Sequence, residues 1–132
     1  MAEPWTFERT RRKAEAFARD AERLRNLLDD AADKARQNRG KVAKFWEGLN
    51  ALFRLLRAWV SGKYTLVPWR TVVLAVAAIL YFVNPLDLIP DFIPGAGFLD
   101  DAGVVAFVLQ SIRKDLGVFE DWERSNASRP AG

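Results

Sequence analysis

Residues 81–101 read YFVNPLDLIPDFIPGAGFLDD. Pro85, Pro90 and Pro94 fall inside this stretch. Each removes a backbone donor and disfavours helix in the residue before it. A long helix therefore cannot run through. Yet Leu86, Leu88, Ile89, Phe92, Ile93, Phe98 and Leu99 are too apolar for a solvated loop. The expected structure is an irregular connector packed into apolar surroundings. Its backbone amides then need partners, and Asp87, Asp91, Asp100 and Asp101 have short acceptors suited to supply them.

With Tyr81 just ahead of it, the run NPLDLIPDFIPGAGFLDD resembles the core motif of the YkvA-like family, bacterial-type helical domains of unknown function. The resemblance covers roughly residues 66–110. Asn84, Pro85, Pro90, Pro94 and Gly97 are the structural positions of the motif. The resemblance implies a small helical, membrane-associated domain. It implies no catalytic residues.

Upstream, Thr71–Val83 reads TVVLAVAAILYFV, without a charge and without an amphipathic period. Such a helix is buried on all sides. Pro68 stands near its first turn. A spanning helix needs about 20 apolar residues. Extending the run back to Leu66 takes in Pro68 and Arg70. The length leaves open whether the helix spans, dips into or avoids a bilayer. Trp59, Trp69 and Arg70 are the candidate lipid contacts, an aromatic belt with a snorkelling arginine.

Downstream, a fourth helix is expected from Leu99 or Asp100, with Asp101 in its first turn and Gly117 as its C-cap. Arg113 and Lys114 would close it, and Val118 to about Arg124 would add a short turn. Residues 126–132 read as a flexible tail.

Toward the N-terminus, no proline or glycine interrupts Phe7–Gln37. Phe17, Ala21, Leu24, Leu28, Ala31 and Ala35 form a heptad-like seam on what reads as one long helix. A second helix is expected over Lys41–Ser61, stopped by Gly62. Its stripe is Val42, Phe45, Trp46, Leu49, Leu52, Phe53, Leu56, Trp59 and Val60. Lys44, Glu47, Asn50, Arg54 and Arg57 fall on the other side.

Composition narrows the chemistry. The 132 residues include no cysteine and no histidine. Disulfides, thiolates, the commonest zinc ligand and every Ser-His or Cys-His nucleophile are thereby excluded. The net charge of +3 is unevenly spread: +7 over residues 1–70 and −4 over residues 71–132. A basic front suggests a surface facing anionic lipid or nucleic acid. The opening MAEPWTFERTRRKAE does not read as a secretory signal.

Asp87, Asp91, Asp100 and Asp101 are the one constellation to weigh as a site. Hard cations such as Mg²⁺ or Ca²⁺ take carboxylate oxygens. However, Pro90 prevents a regular helix from presenting Asp87 and Asp91 on one face, and no calcium-loop or phosphate-loop pattern is present. Capping of turns and of the fourth helix is the favoured role. The basic residues Arg9, Arg11, Arg12, Lys13, Arg19, Arg23 and Arg25 are interrupted by Glu15, Asp20 and Glu22. They read as a solvated helix face first, then as an attachment to anionic lipid. No nucleic-acid partner is expected.

The sequence thus predicts an all-α domain over residues 1–125, with four main helices. A basic amphipathic hairpin (6–62) would cover a central apolar hairpin (66–117) joined by the Pro/Asp connector. The expected function is a non-enzymatic, membrane-associated interaction or scaffold module without a cofactor. Its partners would be a lipid surface, a membrane protein or a second copy of the chain, with the basic half cytoplasmic. The alternative is a soluble cytoplasmic domain with an aspartate site for Mg²⁺ or Ca²⁺ and hydrolytic activity.

Overall fold

The computed structural model describes residues 4–83 and 101–127. Among them every regular element is a helix and there is no strand. The helices are α1 (Pro4–Ala18), α2 (Ala21–Gln37), the single turn α3 (Arg39–Val42), α4 (Trp46–Val60), α5 (Trp69–Val83), α6 (Asp101–Ser111) and α7 (Arg113–Ala127). A 3₁₀ turn over Ala43–Phe45 joins α3 to α4.

The long helix expected over residues 7–37 is two helices. Asp20 leaves the helical region (φ −116°, ψ 101°), and its carboxylate accepts the Arg23 N–H at 3.1 Å. That is an N-cap made by a residue that competes for backbone donors. The break resets the phase of the seam. In α2, Leu24, Leu28, Ala31 and Ala35 are buried as expected. Among the α1 side chains described, Ala14 and Ala18 are buried and Phe17 is half-buried, while Ala21, the first residue of α2, is exposed.

The α4 stripe matches its spacing. Leu49, Leu52, Phe53 and Leu56 are buried, and Glu47, Arg54 and Arg57 are exposed. Arg57, near the end of α4, pairs with Asp29 in the middle of α2 at 3.0 Å. Gly62 then ends α4 at φ +80°, a left-handed conformation that side chains resist. The Gly62 N–H reaches the Trp59 carbonyl (3.1 Å) and the Lys63 N–H reaches Ala58 (2.9 Å). These are the two bonds of a Schellman turn.

The uncharged run is α5, and its surroundings are protein. It packs against α1 most extensively, then against α6 and α2. Ala75 through Phe82 are all buried. At ~1.5 Å per residue, its 15 residues extend about 22 Å, short of the ~30 Å hydrocarbon layer. Among the described residues, no helix is long and apolar enough to cross a membrane. Pro68 stands at the N-cap, its carbonyl accepting the Val72 N–H at 3.1 Å.

The C-terminal helices depart from expectation. Gly117 is no cap: α7 runs through it, past the expected start of the tail, to Ala127. The break comes earlier, at Ile112. There the Ser111 hydroxyl donates back to the Phe107 carbonyl at 3.0 Å, a bond that bends helices. Arg113 and Lys114 therefore open α7 rather than close α6. The bidentate pair of Arg54 with Glu123 (2.9 and 3.3 Å) ties α7 to α4.

Candidate functional site

The motif residues Asn84, Pro85, Asp87, Pro90, Asp91, Pro94, Gly97 and Asp100 lie outside the described residues. Asp101 is the first residue of α6. Among the described residues, no three of His, Cys, Asp and Glu gather as a metal-sized group. The helix entering the motif ends on a tether. Lys34 of α2 donates from Nζ to the Phe82 carbonyl at 2.5 Å, and its ammonium lies 5.3 Å from the Phe82 ring centre. A cation thus meets a carbonyl in the last turn of α5, where the dipole favours it.

The predicted lipid contacts do come together. The Schellman turn reverses the chain, so the end of α4 lies beside the start of α5. The Trp59 and Trp69 rings meet with centroids 5.9 Å apart. Trp69 is 38% exposed and Leu66, in the turn between them, is 73% exposed. Arg70 and Lys63 are exposed on the same turn. Arg19, from the end of α1, places its guanidinium 5.1 Å from the Trp69 ring centre. One end of the molecule therefore carries an aromatic pair, a protruding leucine and three exposed cations. Among the described residues, Arg19 and Arg70 have no carboxylate partner. Such an edge is amphipathic on the scale of side chains: apolar bodies flanked by charges with free donors.

Sequence reasoning counted Arg19 in the basic face without placing it beside Trp69, and it missed the exposure of Leu66. Arg19 sits in the linker between α1 and α2, a break hidden by the apparent seam. Leu66 is a lone leucine in a turn, a residue type that periodicity does not interpret.

Behind this edge lies a buried polar link that the sequence also hid. Tyr64 follows the turn and packs edge-on against Phe119 (5.0 Å) and beside Trp122 (5.0 Å), both from α7. Thr71, in the first turn of α5, donates its hydroxyl to the Asp115 carboxylate at 2.5 Å. Burial, and then the nearby Asp115 charge, push the Tyr64 hydroxyl above its ordinary pKa. The hydrogen bond ties the start of α5 to α7.

Part of the remaining basic charge is neutralised locally. Arg11 pairs with Glu15 (3.4 Å), Arg36 with Asp33 and Arg124 with Asp121. This matches a solvated helix face more than one continuous basic groove.

The fold and this edge define a small all-helical domain with an aromatic, arginine-flanked end. Residues 71–107 match the family model described as a protein of unknown function, DUF1232. The chain is 41% identical over 96 residues to the uncharacterized membrane protein YkvA of Bacillus subtilis, covering 73% of this chain and 91% of that one. It is also 33% identical over 99 residues to the E3 ubiquitin-protein ligase RNF170 of Xenopus laevis, covering 70% of this chain but only 38% of that protein. No solved structure matches. The chain belongs to the YkvA-like family of DUF1232 proteins.

Proposed function

We propose that this chain is a non-enzymatic interaction or scaffold module that attaches to a membrane surface by its Trp59–Trp69 edge. The Trp59–Trp69 indole pair, with Trp69 exposed, Trp59 half-buried and Arg19 and Arg70 beside it, is the observation that carries the reading. Tryptophan favours the headgroup level, where one part of the ring is apolar and another is wet. The arginines and Lys63 reach lipid phosphates from the same edge. The name of the Bacillus relative, a membrane protein, supports the reading. In this arrangement α5 stays inside the protein and contributes only its first turn to the lipid contact.

The basic N-terminal half faces the cytoplasm, in keeping with the excess of Lys and Arg on that side of membranes. A membrane protein or a second copy of the chain docks on the module once it is held at the surface.

Co-sedimentation with vesicles tests the attachment. The protein pellets with phosphatidylglycerol vesicles, and its tryptophan emission shifts to the blue. A fraction stays bound at high salt, because indole insertion is not screened. Replacing Trp59 and Trp69 together by alanine lowers partitioning by about tenfold or more. Failure to pellet with phosphatidylglycerol, or unchanged binding in the double variant, rejects the edge.

A further inference from the structure

A second feature of the molecule lies away from the tryptophan edge. Where α1, α2 and the last turn of α5 meet, they leave an open cleft of about 280 Å³. Its apolar floor is Phe17, Leu27, Leu80 and Val83. Leu27 and Leu80 are almost wholly enclosed, whereas Phe17 and Val83 stay half-exposed. The cleft therefore opens onto greasy surface rather than onto a polar wall. The cause is the break at Asp20. It separates α1 from α2, and both helices pack on α5.

The mouth has a definite sign. Lys13 of α1 and Arg23 and Asn26 of α2 stand around it, with Asp30 offsetting one of the two cations. Arg23 is held in place, its guanidinium 4.2 Å from the centre of the Phe17 ring. That contact uses one face of the guanidinium and leaves its N–H donors free. Among the described residues, Arg23 has no carboxylate partner. An arginine stacked on an aromatic at the lip of an apolar cleft is arranged to hold an anion whose body is hydrocarbon. The volume lies at the small end of ligand clefts, roughly 300–1,000 Å³, so it suits one chain rather than two.

We infer that the cleft between α1, α2 and α5 binds a single-chain anionic amphiphile. The hydrocarbon chain lies on Phe17, Leu27, Leu80 and Val83. The charged head meets the Arg23 guanidinium, and the Asn26 amide supplies a further donor. Lys13 raises the local positive potential. This site does not depend on the tryptophan edge and operates without a membrane.

The test is a calorimetric titration of the full chain with decyl phosphate, below its micelle concentration and without vesicles. Inorganic phosphate and decyl maltoside serve as comparison probes. Saturable binding of one decyl phosphate per chain is expected, with each comparison probe weaker by about tenfold or more, since each supplies only half of the interaction. Arg23→Gln, an exposed position whose change spares the core, weakens decyl phosphate by about tenfold. Val83→Phe fills the floor without altering charge and also blocks the chain. Methyl NMR gives the location: Leu27, Leu80 and Val83 signals shift, while the Trp59 and Trp69 indole N–H signals do not. Absent binding, equal binding in Arg23→Gln, or shifts confined to the indoles overturn the assignment. Indole shifts alone would favour the lipid edge, so the two readings fail separately.

Discussion

Helices α4 and α5 are both 15 residues long and both enter the core, but they meet water differently. α4 keeps one charged face, with Glu47, Arg54 and Arg57 exposed opposite Leu49, Leu52 and Leu56. α5 is enclosed by α1, α2 and α6 and shows no charge after Arg70. The contrast teaches that an uncharged run records how many sides of a helix are covered. It does not record what covers them. Here the cover is protein, and the exposed residues of α5 are Trp69 and Arg70 in its first turn.

The sharpest way to break this comparison is a charge in the middle of α5. Val76 is fully buried. Val76→Asp is expected to abolish folding in detergent-free buffer, read as loss of a cooperative melt by circular dichroism. Leu74→Asp, at a half-buried position of the same helix, costs only about 1–2 kcal/mol. If the two variants behaved alike, protein would not be what encloses α5. Thr71→Val sharpens the comparison at the helix start. It leaves the Asp115 carboxylate without its hydroxyl donor and costs about 1–3 kcal/mol in urea unfolding. Adding Asp115→Leu should recover part of that loss, since both polar partners are then gone.

A smaller effect is expected at the break that frees α1 to lie on α5. Asp20→Ala removes the N-cap of α2 and costs about 1 kcal/mol, measured by the same denaturant series. Stability unchanged by the substitution would mean the cap is incidental. The smallest effect appears only in alkali. Tyr64 is held above its usual pKa in the fold, so the folded state retains this proton more tightly than the unfolded chain. Its contribution is fully present below about pH 10, the ordinary tyrosine value, and is lost as pH rises through the raised value. Tyr64→Phe should flatten that alkaline decline in thermal melts. A decline of equal slope in the variant would assign it to other groups.

Much of this was legible in the residues, for definable reasons. The α4 stripe was readable because one face stays wet, and Gly62 because only a residue without a side chain turns there cheaply. The burial of α5 was readable too, although its length left the surrounding medium undecided. Trp59 and Trp69 could be singled out, but not their pairing, which depends on the intervening turn. The break at Asp20 was hidden because aspartate fits mid-helix and N-cap positions alike, and the seam continued through it on paper. Gly117 misled in the opposite direction: glycine is a stop signal, yet α7 continues through it with Phe119 and Trp122 packed around Tyr64. Ser111 carried the real signal, a hydroxyl able to bond back four residues. The Thr71–Asp115 bond joins segments 44 residues apart, which no local pattern reveals.

The packing of α1 on α5 has a consequence for how the molecule is made. The first helix finds its main partner only after α2, α3 and α4 have been synthesised. Until α5 emerges, α1 lacks its most extensive contact and α2 lacks one of its main ones. Closure is therefore a late event that joins the two ends of the N-terminal half in one step, at the entropic cost of a long loop. A nascent chain stalled before Trp69 would present a greasy, basic ribbon to whatever lies nearby, chaperone or lipid alike.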